Sequence, residues 1–304
     1  MKRILIITCS IDVTVDYIIR HYRTSCLFFR FNVDQLNDYV VDIDNTGWRI
    51  TRNNESINNN SVHSIYYRKP RYPDLSEYGV EYHAMIKRDI LSLINGIVDE
   101  FKGKVLTKPS ILRKVENKIY QLLYAIKKGI EIPVSYIGNS NTACSDFFKR
   151  SSIIKPLTTG KILCANYAEM YPTSLFNSFD EDFDDIALTP VYLQDYIDKQ
   201  YEVRITVVGH DIFTVRIDTN NKIDWRSDYK NVHYQIIDIP LEIKQQCFNM
   251  LTDFDLSFGI FDYVVTPKNR WVFLEINPNG QWLWLEEELN LNISEKIISH
   301  LVDG

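Results

Sequence analysis

Phe261–Trp284, FDYVVTPKNRWVFLEINPNGQWLW, brings two carboxylates and a carboxamide to one face of a short hairpin. Thr266-Pro267-Lys268-Asn269 carries the turn signal, and the runs on either side are rich in β-branched and aromatic residues, the composition of paired antiparallel strands. Pairing around that turn predicts Glu275 opposite Ile260 and diagonal to Asp262, with Asn277, two residues on, sharing the face of Glu275. The other face, Phe261, Tyr263, Val265, Val272, Leu274 and Ile276, is apolar throughout and suits a core.

Two carboxylates held this close repel each other and are costly to bury unless a cation lies between them. A hard divalent ion with oxygen ligands answers that need. Mg²⁺ in particular is held by one or two carboxylates and completes its shell with substrate phosphates, which makes a nucleotide the first expectation. The other reading is a surface hairpin whose acids face water; the apolar flanks favour the metal.

The chain has 304 residues, 45% hydrophobic and 24% charged, enough to bury a core in one to three compact units. A net charge of −6 and a pI near 5.6 argue against a nucleic-acid footprint over the whole chain. Cys9, Cys26, Cys144, Cys164 and Cys247 are scattered without CxxC spacing, neither a zinc site nor a disulfide framework, and a reducing cytoplasm is the simplest compartment. The N-terminal apolar run, Ile4–Ile7, is too short for a signal peptide and predicts a buried first strand; no other segment approaches a membrane span.

Three regions separate. Residues 1–108 read as a small α/β domain with a largely parallel sheet: strands over Arg3–Thr8, Cys26–Asn32 and Ser64–Arg68, helices over Asp12–Tyr22 and Tyr82–Phe101, a hairpin from Tyr39–Ile43 to Trp48–Thr51, and a polar loop over Asn53–Asn60. Residues 109–190 open with one helix to about Lys128, on the stripe Leu112, Val115, Ile119, Leu122 and Ile126, capped by Gly129, before strands over Ile130–Ile137 and Ser152–Leu157. Residues 191–304 hold a strand from Val191 to Ile197, a hairpin from Val203 to Ile217 turning at Gly209-His210, the acidic platform, and a helix from about Ile293.

Lys155 ends an apolar strand just before Pro156, where its ammonium points away from the core; a solvated strand end is the other reading. Lys118, the turn Thr158-Thr159-Gly160-Lys161 and the Asp262, Glu275 and Asn277 set add a second cation, backbone donors and a metal. Binding and activating a triphosphate requires that inventory, because phosphoryl transfer is mostly positioning and charge stabilisation. No GxxxxGK[ST] is present, which excludes a Walker-type site.

Asn117-Lys118, Ile153-Ile154-Lys155-Pro156, Leu193-Gln194-Asp195-Tyr196-Ile197 and Asp262…Glu275-Ile276-Asn277 follow one another in the order found in the ATP-grasp superfamily, which the whole chain resembles. The resemblance implies an α/β (α+β) ATP-grasp fold in three parts. In that family the two lysines contact ATP phosphates, the hinge holds adenine, and Asp, Glu and Asn ligate Mg²⁺. These would be Lys118 and Lys155; Gln194, Asp195, Tyr196 and Ile197; and Asp262, Glu275 and Asn277. The loop after Lys155 departs from the usual glycine-rich form, with only Gly160.

Tyr66-Tyr67-Arg68-Lys69-Pro70, Asp224-Trp225-Arg226 and Asn279-Gly280-Gln281-Trp282-Leu283-Trp284 further resemble the graspetide synthetases, which macrocyclise ribosomally made precursor peptides of the microviridin type. That implies ATP-dependent activation of Asp or Glu side chains and closure of esters or amides with Ser, Thr or Lys. Arg68, Lys69, Trp225 and Asn279 are candidate peptide contacts, and Arg204, Arg216, Asp224 and Arg226 candidates at the reacting groups. Trp282 and Trp284 also read as core aromatics, a reading favoured for Trp284. A three-residue loop at Gly209 would set Arg204 opposite Arg216, a pair calling for an anion between them; a solvated face with Glu202 as partner is the other reading. The acidic run Asp180–Asp185 reads as a surface loop or a leader-peptide contact. Homodimers are common among such relatives. A small-molecule carboxylate ligase, such as a glutamate or amino-acid ligase, and a non-catalytic binding module stay open as other functions.

Overall fold

The run Ile4–Ile7 is the middle of a four-stranded parallel sheet. Strand Arg3–Thr8 lies between Leu27–Asn32 and Ser64–Tyr67, with Lys104–Leu106 outermost. The computed structural model describes residues 1–158, 161–163, 168–171, 173–176, 187–221, 223 and 231–303. Asp224, Trp225 and Arg226, the acidic run at 180–185 and the middle of the turn at 158–161 lie outside the described residues.

Ile4, Leu5, Ile6 and Ile7 are all fully buried because the parallel sheet is covered on both faces. Leu5 and Ile7 pack with Ile90, Ile94 and Val98 of helix Val80–Glu100. Ile4 and Ile6 pack with Phe258, Ile260 and Trp282 and with helix Ile293–Val302, so the N-terminal sheet shares a core with the C-terminal region. Trp282 is therefore a core aromatic, fully buried, while Trp284 is half-buried with its ring 4.9 Å from that of Tyr234.

Two antiparallel sheets follow. One orders Ser174–Phe176, Ser152–Lys155, Val191–Asp195 and Ser135–Gly138; the other orders His233–Ile236, Asp211–Asp218, Tyr201–Val208, Phe258–Val265 and Trp271–Asn277. Among the described residues no helix is long and apolar enough to cross a membrane. Cys9, Cys26, Cys144 and Cys247 are buried, and Cys9, Cys26 and Cys247 are free thiols.

Four expectations are corrected. The single helix over 109–128 is two, Pro109–Val115 and Lys118–Lys128, because the Asn117 side chain accepts from Ile119 N and Tyr120 N and starts a new N-terminus. The restart changes the phase of the apolar stripe: the second helix buries Gln121 and Ala125, leaving Ile119 41% and Ile126 59% exposed. Within the Asn-rich loop, Glu55–Asn58 is a strand pairing with Gly47–Arg52, fixed by the fully buried Ile57. The strand expected over Ile130–Ile137 is confined to Ser135–Gly138, and the short strand Lys104–Leu106 was not foreseen.

The fourth correction concerns the acidic hairpin. Asp262 pairs directly with Glu275, and Ile260 with Asn277, whereas Tyr263 pairs with Phe273. Leu274 is the extra residue of a β-bulge, and beyond it the alternation is reversed. Phe273 and Trp271, rather than Leu274 and Val272, consequently join Phe261, Tyr263, Val265 and Ile276 in the core beneath helix Leu241–Asp253.

Candidate active site

Asp262, Glu275 and Asn277 stand together on the two strands of this hairpin. Asn277 Nδ2 donates to Asp262 Oδ2 at 3.1 Å and to Glu275 Oε1 at 3.3 Å. Arg204, register partner of Asp262 on the adjacent strand, donates its Nη1 to both Asp262 oxygens at 2.9 and 3.1 Å, and its Nη2 to the Gln281 carbonyl at 3.2 Å. Two carboxylates against one guanidinium leave a net negative charge in a half-buried place, which a divalent cation relieves. Among the described residues no group of three or more His, Cys, Asp and Glu assembles a cage. Two carboxylates and a carboxamide, with the remaining positions left to substrate oxygens, fit Mg²⁺.

Helix Lys118–Lys128 is bolted to this hairpin by a residue that the sequence did not single out. Buried Gln121 donates Nε2 to the carbonyls of Val115 (2.8 Å) and Ile276 (2.9 Å), and its Oε1 accepts from Ile276 N at 3.0 Å. The sequence carried no signal for it: Gln121 lies off the stripe of Ile119, Leu122 and Ile126, with Asn117, Lys118, Tyr124 and Ala125 as its helical neighbours. Lys118, at the start of the same helix, donates to the Pro156 carbonyl at 2.7 Å. Lys155 lies with its ammonium 4.4 Å from the centre of the Tyr192 ring, its partner in register. Loss of hydration there, with Lys118 adding repulsion and Glu275 opposing, lowers its pKa from the ordinary 10.5 to about 8. Lys118, Lys155, Tyr192, Gln194, Leu274 and Glu275 line one pocket between the helix and the two antiparallel sheets.

No protein-family model matches the chain. A curated relative, the alpha-aminoadipate–LysW ligase LysX of Sulfurisphaera tokodaii, is 22% identical over 217 residues, 66% of this chain and 73% of that protein. The macrocyclase MdnC bound with precursor peptide MdnA, from Microcystis aeruginosa MRC, superposes with a TM-score of 0.90 at 26% identity, over 99% of this chain and 100% of that one. A RiPP-associated ATP-grasp ligase of Chryseobacterium gregarium, in complex with ADP and a leader and core peptide, covers 100% of this chain and 97% of its own, at 25% identity and a TM-score of 0.88. The chain belongs to the ATP-grasp ligases.

The hinge of this ligase has the donors and acceptors that an adenine edge needs. Gln194, 2% exposed, donates Nε2 to Ser135 Oγ and Tyr192 OH, both at 2.8 Å, while its buried Oε1 has no partner among the described residues. An orphaned acceptor in a pocket wall calls for a ligand N–H. The N–H groups of Asp195 and Tyr196 are already bonded to Val134 O and Ser151 O, whereas that of Ile197 donates to none of the described residues. The Asp195 side chain is paired with Arg150 at 3.0 Å.

Other candidates go elsewhere. The Gly209-His210 turn has two residues, not three, so Arg204 faces Val215 and Arg216 faces Val203. Alternation then sends the two arginines to opposite faces of the sheet. Arg216 binds Asp218 through two 2.7 Å contacts and lies 4.0 Å over the Tyr201 ring, and Glu202 pairs with Lys199. Arg68 is fully buried, bound to Asp12 at 3.1 Å, to Thr14 Oγ1 at 3.0 Å and to Gln281 Oε1. Lys69 is exposed, and Asn279 half-buried in the loop that carries Gln281.

That loop turns tightly. A Cβ on Gly280 would lie 2.7 Å from Cδ1 of the fully buried Ile260 and 3.2 Å from Asn277 Cβ. Gly280→Ala is expected to lower stability by about 1–3 kcal/mol and to displace Asn277; thermal denaturation alongside turnover measures both.

Proposed function

We propose that this ATP-grasp ligase phosphorylates Asp or Glu side-chain carboxylates of a ribosomally made precursor peptide and closes ω-ester or ω-amide rings with its Ser, Thr or Lys side chains. The observation that carries the reading is likeness over the full chain to two peptide-bound ligases at 25% and 26% identity. The site supports the same chemistry. A substrate carboxylate oxygen attacks the γ-phosphorus of ATP and ADP leaves; the hydroxyl or amine then attacks the acyl carbon and phosphate leaves. The peptide loses one water per ring.

Lys118 and Lys155 would hold the phosphates, and Gln194 Oε1 and Ile197 N–H the adenine edge. Asp262, Glu275 and Asn277 would hold Mg²⁺, which supplies charge neutralisation at the transferring phosphoryl group. Arg204 would meet the developing acyl phosphate while keeping Asp262 in place. Lys69 and Asn279 stand as proposed peptide contacts, with Trp225, and Asp224 and Arg226 as proposed groups at ring closure. The free, buried thiols of Cys9, Cys26 and Cys247 support a reducing cytoplasm.

Intact-mass spectrometry of an acidic Ser/Thr/Lys-containing precursor, incubated with the protein, ATP and Mg²⁺, is expected to show ATP-dependent loss of one or more waters. A second reading, a ligase joining another carboxylate to an amine, draws on the likeness to LysX. Unchanged peptide mass with ADP released in the presence of free amino acids would move the assignment there.

A further inference from the structure

We propose that Gln281 orients the substrate: its side-chain amide nitrogen donates a hydrogen bond to the carboxyl group about to be activated. The inference rests on the carboxylate-ligase reading above. Gln281 is itself exposed, but the group behind it is not: Arg68 is 0%, Thr14 1% and Asp12 8% exposed. Arg68 Nη2 and Thr14 Oγ1, the latter at 3.4 Å, both donate to Gln281 Oε1. A guanidinium has only donors, so the atom turned towards it is the oxygen, and the NH₂ group is turned the other way.

The backing is rigid. Asp12 accepts from Thr14 N and Val15 N as the cap of helix Val13–Tyr22, accepts from Thr8 Oγ1 at 2.8 Å, and pairs with Arg68 Nε at 3.1 Å. Among the described residues nothing accepts from Gln281 Nε2.

The main chain of the same residue is fixed from the other side. Arg204 grips the Gln281 carbonyl through Nη2 while Nη1 holds Asp262, so one guanidinium sets the distance between this amide and the proposed metal ligands. An oriented, neutral donor suits its partner. It selects which carboxylate oxygen is held back and which is left to attack phosphorus, and it withdraws less charge from the nucleophile than an ammonium would. No proton moves to or from Gln281 in the step: the free oxygen forms the bond to γ-phosphorus as the bond to the β-bridging oxygen breaks.

The test uses the full chain and two variants. Gln281→Glu keeps an acceptor for Arg68 but removes the donor and adds a like charge, and Gln281→Met removes both hydrogen-bonding atoms at similar volume. ADP release at saturating ATP is followed against two probes, an acidic Ser/Thr/Lys-containing peptide and free L-glutamate, alongside ADP affinity and thermal denaturation. The KM of the active probe should rise about 10- to 100-fold in both variants, more in Gln281→Glu, with ADP affinity within about twofold of wild type. An unchanged KM in Gln281→Glu, or ADP affinity falling in step with it, overturns the inference and leaves the ligase reading standing. Wild-type activity on glutamate alone overturns the peptide reading, and Gln281 is then judged on glutamate. If neither probe releases ADP, both fall.

Discussion

Glu275→Gln is expected to reduce Mg²⁺-dependent ADP release about a thousandfold, since the ion that this carboxylate would hold supplies several kcal/mol of charge stabilisation at the phosphoryl group, and to leave thermal stability nearly unchanged. Glu275 touches only Asn277 Nδ2 among the hydrogen bonds of the platform, and an amide preserves its shape. Asp262→Asn is a different experiment. It removes the carboxylate from Arg204, which is 8% exposed and whose Nε already lacks a partner. An uncompensated buried guanidinium costs about 3–5 kcal/mol, so Asp262→Asn should lose turnover and melt earlier. Adding Arg204→Met to Asp262→Asn should restore much of the melting temperature and none of the activity. Titrating Mg²⁺ against ADP release, with denaturation in parallel, separates the two roles; full Mg²⁺-dependent turnover in Glu275→Gln would remove the metal assignment.

This contrast shows where the sequence was legible. Residue types and alternation were enough to bring Asp262, Glu275 and Asn277 together, because each choice of side chain on a strand is binary, in or out. The pairing itself was out of reach: a turn of five residues, 266–270, instead of four and one extra residue, Leu274, together convert the expected diagonal into a direct pair, and Phe273 rather than Val272 faces helix Leu241–Asp253. A bulge has no signature in a run of strand-formers. The same limit, one residue of loop length, sent Arg216 away from Arg204. Composition likewise cannot reveal partners that meet across the whole chain. Arg68 read as a candidate peptide contact because its acceptors, Asp12, Thr14 and Gln281, lie 56, 54 and 213 positions away. Asn117 was visible beside Lys118, yet its capping role, and with it the break between the two helices, is a matter of backbone geometry that the continuous apolar stripe concealed.

Lys155→Met is expected to abolish useful ATP turnover without lowering stability, and the pH dependence tells the two effects apart. The Lys155 pKa is pushed down to about 8 by loss of hydration, with Glu275 holding it up and Lys118 pressing it down. Bound phosphates favour the ammonium and raise that pKa, so binding ATP takes up a proton once the free site has lost its own. ATP affinity should therefore be flat below about pH 7 and fall as pH rises through about 8. In Lys155→Met the affinity should be lower by about 10- to 100-fold at neutral pH and should lose this inflection. Stability runs the other way. The folded pKa lies below the unfolded one, so the unfolded chain binds more protons between about 8 and 10.5. The contribution of Lys155 to stability is thus complete above the upper value and becomes a cost as pH falls to the lower. At neutral pH the methionine variant escapes that cost and should melt at or above the wild-type temperature, the difference shrinking towards pH 10.5. A side chain retained against its own folding cost is held for the phosphates it meets; an unaltered ATP affinity and pH profile in Lys155→Met would deny that role.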